Sequence, residues 1–180
     1  MIRQKLIIFD TTTDLGLSTI TRQLMTDVLI RQAKQQDLNT LLEFEQDLIN
    51  SEKPFDPTFV PERFSYYDLK AMIDSEVAEV LVAELDGVLV GSGHARIRTG
   101  EPYNQFKEYA FFGFMYSSPD YRGKGINKLI MEGLFEWAKS RNLSEIRLQV
   151  YDENTPAIRA YEKVGFKKIL TTMRLQIGDI

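Results

Sequence analysis

The 180-residue chain has no cysteine and a single histidine, His94. The first absence excludes disulfides, a thiolate nucleophile and thiolate metal sites. The second, with no His-Glu-x-x-His on any helix, gives no ligand set for a metal, and none is expected. No apolar run approaches the roughly 20 residues that a membrane-spanning helix needs. Residues 1–9 join basic residues to a short apolar patch, without a full apolar segment or a small-residue cleavage site, and do not read as a signal peptide. A cytoplasmic location and no membrane partner are the expectation. Basic charge is in deficit too, with 22 Lys and Arg against 26 Asp and Glu. Nucleic-acid binding requires a basic surface and is disfavoured.

What is present is an ordinary globular composition, 43% apolar and 27% charged. The length suits one domain, and chains of this size bury about 70% of their unfolded surface. We place that domain at residues 25–180, with 1–24 as an extension. The acidic charge is concentrated: residues 37–86 hold thirteen acids against three bases, a net of −10 within a chain whose total is −4. Such polarity attracts cations at one end and anions at the other, although acidic helices also simply present solvated faces.

Apolar periodicity orders the elements. A strand is expected over 28–33. A helix follows Asp37, with Leu38, Leu41, Leu42, Leu48 and Ile49 on one face, and a second helix is expected over 62–74. Asp86-Gly87 between apolar runs marks a hairpin of strands 80–85 and 88–98. The unbroken apolar run at 110–116, within a strand over 108–117, suits a central strand covered on both faces. Ile126, Leu129, Ile130, Gly133, Leu134 and Trp137 share a helical face. A strand carrying Ile146, Leu148 and Val150 follows. Asn154 then caps a helix that stops at Gly165, and one or two strands close the chain over 166–176. The order predicts an α/β fold with a mixed, mostly antiparallel central sheet, a βαβ core and flanking helices.

The stretch Tyr121-Arg122-Gly123-Lys124-Gly125-Ile126-Asn127 lies between the buried strand and the best-defined helix. A helix N-terminus exposes unpaired N–H groups and the positive end of its dipole, and glycines let backbone approach a phosphate. Arg122 and Lys124 add charge, so the stretch suits a pyrophosphate. It is neither a P-loop, because Ile126 follows Gly125, nor a dinucleotide fingerprint, because Lys128 stands at the last glycine position.

These residues resemble the GNAT superfamily of N-acetyltransferases. Arg122 and Gly125 fit its phosphate-loop signature, with Asn127 replacing the final small residue. Asn154, Tyr161, Gly165 and Phe166 fit its second signature. The resemblance covers about 28–175 and implies acetyl-CoA as acyl donor and an amine, small molecule or peptide, as acceptor. It implies that the backbone of Met115, Tyr116 and Ser117 holds the pantetheine arm and that Arg122, Gly123, Lys124, Gly125, Ile126 and Asn127 hold the pyrophosphate. Asn154 would bond the pantetheine and Tyr161 would protonate the departing thiolate. Tyr161 also fits a core position with a satisfied hydroxyl, and Asn154 a plain helix cap. For the base that takes the amine proton, Glu108 and His94 are candidates beside a water chain. With no cysteine, direct attack of the amine is favoured over a cysteinyl intermediate. A non-catalytic acyl-CoA-binding module is the alternative. The resemblance admits a homodimer, and the acidic front half points to a cationic acceptor.

Overall fold

A computed structural model describes residues 27–177; the expected extension at 1–24 lies outside them. In chain order the elements are β1 (Leu29–Gln32), α1 (Leu38–Glu52), α2 (Leu69–Ile73), β2 (Ala78–Leu85), β3 (Val88–Thr99), β4 (Glu108–Ser117), α3 (Ile126–Ser140), β5 (Ile146–Arg147) and α4 (Thr155–Lys163). The strands form one sheet in sequence order. Neighbours are antiparallel except β4 and β5, which are parallel and joined through α3. Asp86 and Gly87 turn the β2–β3 hairpin with φ of 50° and 79°, the paired positive values of a type I′ turn.

Helices cover both faces of the sheet. On one, Ile126, Ile130 and Leu134 of α3 pack on Leu81, Val90, Ala95 and Phe112. That helix sits very close to β3: a Cβ at Gly91 would meet Ile126 Cγ2 at 2.7 Å, and one at Gly93 would meet Ile130 Cγ2 at 2.6 Å. On the other face, Leu41 and Phe44 of α1 and Leu69 of α2 pack on Val80, Val82, Phe114 and Tyr116.

Strand β4 serves both layers because it is bulged. Side chains two apart on a regular strand share a face, yet Phe112 joins the α3 layer while Phe114 and Tyr116 join the α1 layer. The ladder to β3 slips between Ser92 and His94, and Phe114 has φ 55°. One extra residue reverses the strand's parity from that point on.

Three expected elements differ: the strand carrying Ile146, Leu148 and Val150 forms only at Ile146–Arg147, and two others change more. The helix over 62–74 reduces to α2, because side chains of α1 take the backbone bonds of the segment before it. Glu45 Oε1 accepts the N–H groups of Tyr66 and Tyr67 at 2.8 and 2.9 Å, and Gln46 Nε2 donates to the Phe64 carbonyl at 2.8 Å. Asp68 then caps the short helix, accepting from Ala71 N–H at 3.0 Å. The closing strands over 166–176 are not formed. That segment leaves Ile169, Leu170, Met173 and Leu175 exposed, and is tied back by Lys168 to Asp152 and by Arg174 to Asp56.

Candidate active site

The parallel pair β4–β5 is joined over only two positions, Ala110 with Ile146 and Phe111 with Arg147. Past Phe111, β4 continues to Ser117 bonded to β3 alone, and no ladder joins it to Leu148, Gln149 or Val150. Pairing of the two strands therefore ends at Phe111, leaving a candidate cleft with the edge of β4 as one wall, where the Phe114 N–H and the Ser117 carbonyl already have side-chain partners. Met115, Tyr116 and Ser117 lie along that wall.

The cleft leads to the N-terminus of α3. Its N-cap, Gly125, is left-handed at φ 86°, no side chain caps this end, and the first turn holds no acid. The first N–H groups of the helix thus keep their dipole and lack intrahelical partners. Gly123 is also left-handed, at φ 73°, with open space where a Cβ would stand. Arg122 and Lys124 are exposed. Arg122 Nε donates to the Ser117 carbonyl at 3.4 Å, and Ser117 Oγ donates to Asn127 Oδ1 at 2.9 Å. Strand end, loop and helix start are thereby locked together. Asn127, which departs from the small residue of the resemblance, serves as part of this lock.

On the far side of the cleft, Asn154 caps α4, accepting from Ala157 N–H at 3.3 Å. Tyr161 lies on that helix, edge-on to Phe166 at 5.9 Å. Burial of its hydroxyl pushes its pKa up to about 12, with Glu52 and Tyr67 adding to the shift, so it is protonated near neutrality. Tyr67 lies on the sheet side, its hydroxyl accepting the Phe114 N–H at the bulge at 3.3 Å.

Of the two candidate bases, Glu108 is remote and His94 is sealed in behind Tyr67. Glu108 is exposed at the start of β4. It is nine residues before Ser117, about 30 Å along an extended strand. His94 is fully buried, edge-on to Tyr67 at 4.6 Å, and neither ring nitrogen has a hydrogen-bond partner. Burial, reinforced by Arg96 and Arg98, pushes its pKa down to about 3, so the ring is neutral at physiological pH.

A carboxylate that sequence reasoning did not single out stands at the tyrosine end. Glu52, the last residue of α1, accepts the Tyr66 hydroxyl at 2.8 Å. Burial raises its pKa, the Tyr66 bond partly opposing this. Its charge in turn contributes to raising Tyr66, Tyr67, Tyr151 and Tyr161. Phe55, Phe59 and Tyr151 lie beside it, the Phe55 and Tyr151 rings stacked at 6.0 Å and Phe59 edge-on to Tyr66 at 6.3 Å. The available signal was compositional: an acidic front segment with five aromatics. No periodicity separates Glu52 from its acidic neighbours.

A slot between diverging parallel strands that ends on an unshielded helix N-terminus suits a long phosphorylated carrier with its reactive end among the tyrosines. The class so defined is a transferase that draws its group from such a carrier. Comparison with known proteins names the family: residues 41–166 match the model described as the Acetyltransferase (GNAT) family. The chain belongs to that family and is by class an N-acetyltransferase. It is 28% identical over 152 residues to thialysine N-epsilon-acetyltransferase of Sus scrofa, covering 81% of this chain and 87% of the relative. It is 31% identical over 115 residues to N-alpha-acetyltransferase of Sulfurisphaera tokodaii, covering 61% and 69%. Among solved structures, the F44R mutant of the BH1408 protein from Bacillus halodurans superposes with a TM-score of 0.75 at 21% identity, covering 83% of this chain and 99% of that one. An acetyltransferase from Clostridium acetobutylicum solved with acetyl-CoA gives 0.64 at 19% identity, covering 85% and 98%.

Proposed function

We propose that this protein is a cytoplasmic acetyl-CoA-dependent enzyme that acetylates a primary amine carried by a cationic acceptor. The observation that carries the reading is the uncapped N-terminus of α3, bonded through Asn127 to the end of the β4 edge that β5 leaves unpaired. Arg122, Lys124 and the N–H groups of the first turn of α3 bind the pyrophosphate. Backbone of Met115, Tyr116 and Ser117, on the edge of β4 that β5 leaves unpaired, bonds the pantetheine arm as an added strand would. Asn154, whose Oδ1 is taken by the α4 cap, bonds the pantetheine through its amide N–H₂.

The amine nitrogen attacks the thioester carbonyl carbon directly, and a C–N bond forms as the C–S bond breaks. Tyr161, held protonated by burial, gives its proton to the leaving sulfur. The nitrogen loses a proton as the amide forms, and Tyr161 is reprotonated from solvent. The donor-side reading is supported by the family match and by the fold neighbour solved with acetyl-CoA, and an amine acceptor by relatives named thialysine N-epsilon-acetyltransferase and N-alpha-acetyltransferase. It is tested by calorimetric titration of acetyl-CoA into the full chain and by release of free CoA thiol with amines. A folded protein that binds no acetyl-CoA would refute it.

A further inference from the structure

Proton removal at the acceptor is the step that neither His94 nor Glu108 is placed to perform. An amine near neutral pH arrives as an ammonium ion and must lose a proton before its lone pair can attack. The group that takes it needs a negative charge, access to the transfer site and a raised affinity for protons.

Resting on the acetyl-transfer reading above, we propose that Glu52 receives the protonated amine of the acceptor and removes its proton, with Tyr66 fixing the carboxylate and the neighbouring rings enclosing the cation. Four observations converge on it. The carboxylate is half-buried, and among the described residues no Lys or Arg pairs with it. Among the described residues its one hydrogen bond is from the Tyr66 hydroxyl at 2.8 Å, which leaves acceptor capacity for a cation. It closes the C-terminal turn of α1, where the helix dipole presents its negative end and already favours positive charge. Phe55, Phe59, Tyr66 and Tyr151 touch in a chain beside it, and aromatic faces attract ammonium groups. A desolvated carboxylate without a cation lowers stability, and such groups gather where a charged substrate completes them.

The chemistry balances. The ammonium gives one proton to the Glu52 carboxylate and becomes a neutral amine, which attacks as described. Glu52 then releases that proton to solvent, so each turnover converts an ammonium and a thioester into an amide, a thiol and one free proton. The titrating groups around Glu52 are the tyrosines 66, 67, 151 and 161 and, beyond Tyr151, the Asp56–Arg174 pair. Arg174 and Thr58 hold Asp56 down at about 2, the tyrosines are all raised, and Arg174 is raised too. Burial raises Glu52, so its acid limb should lie higher than that of an exposed glutamate, and Glu52→Gln is the variant that should remove it while the buried Glu45 on the same segment stays in place.

The test is steady-state kinetics of the full chain from pH 6 to 10, with saturating acetyl-CoA and thialysine or spermidine as acceptor. Glu52→Gln should lower kcat/KM at pH 7 by about 10²-fold, and the deficit should shrink as pH rises and free amine supplies itself. Acetyl-CoA affinity by calorimetry should stay within about twofold, a change too small to matter on the scale where tenfold is 1.4 kcal/mol. Tyr66→Phe, by removing the bond that lowers the Glu52 pKa, should move the acid limb to higher pH. Wild-type kinetics in Glu52→Gln, or a loss uniform across pH, would overturn the assignment. So would a wild-type protein that binds acetyl-CoA but acetylates neither amine, which leaves the donor site standing. Absence of acetyl-CoA binding would instead refute the reading on which the assignment rests.

Discussion

The Tyr67 hydroxyl accepts the N–H of Phe114 at 3.3 Å and so joins the loop before α2 to the bulge of β4. Phe114 is buried, at 1% exposure, so no water replaces that acceptor. Tyr67→Phe should leave a buried donor unsatisfied, at a cost of about 1–3 kcal/mol. In a domain of this size that lowers Tm by several degrees, roughly 2–4 °C per kcal/mol. Thermal denaturation followed by circular dichroism checks it, and an unchanged Tm would show that the bond contributes nothing.

Gly125→Glu should abolish measurable acetyl-CoA binding. The position is left-handed, which disfavours any side chain, and a carboxylate there would itself take the positive end of the helix dipole and repel phosphate. Arg122→Ala is the milder companion and should weaken binding about tenfold, the loss of one charge-assisted bond of ~1.4 kcal/mol. Calorimetry reads both, and the order of the two losses is itself part of the expectation.

Tyr161→Phe should lower kcat by about 10²-fold, the usual worth of a general acid, with little change in acetyl-CoA affinity. The phenyl ring retains the contact with Phe166, so folding should survive. If turnover were unchanged, the hydroxyl would be a core group and the thiolate would leave unassisted or be protonated by water.

His94 should make the fold acid-sensitive. Its pKa falls from an ordinary 6.5 to about 3 on folding, so below pH 6.5 the unfolded chain takes a proton that the native state refuses. Native stability then declines as pH falls from about 6.5 to about 3, by up to ~1.4 kcal/mol per unit. His94→Phe keeps a ring beside Tyr67 and removes the titration. Its urea midpoints should depend less steeply on pH across that range, whatever its absolute stability.

Much of the fold was legible because local rules and tertiary packing agree. Asp86-Gly87 needs positive φ at both positions, and Ile126, Ile130, Leu134 and Trp137 on the inner face of α3 need one partner surface. Asn154 performs as the cap that its sequence position suggests. The helix expected over 62–74 failed where a side chain from elsewhere competes: Glu45 takes the N–H groups of Tyr66 and Tyr67, and no local pattern announces that. The bulge of β4 was hidden for a related reason, since a run apolar at nearly every position gives no alternation to interrupt. The proposed anion-binding half of the site lies in one contiguous stretch and could be read. The proposed acceptor half draws on Glu52, Tyr66, Tyr151 and Tyr161, which are far apart in sequence and so carry no local pattern.

The parity change in β4 also sets which mutations the strand can absorb. Exchange of one residue for another between Phe112 and Ser117 disturbs one contact at a time. Loss of a single residue there would send Phe114 and Tyr116 toward α3 and Met115 toward α1, turning the end of the strand inside out and carrying the cleft wall with it. This stretch should therefore vary in composition among descendants of the chain while its length stays fixed.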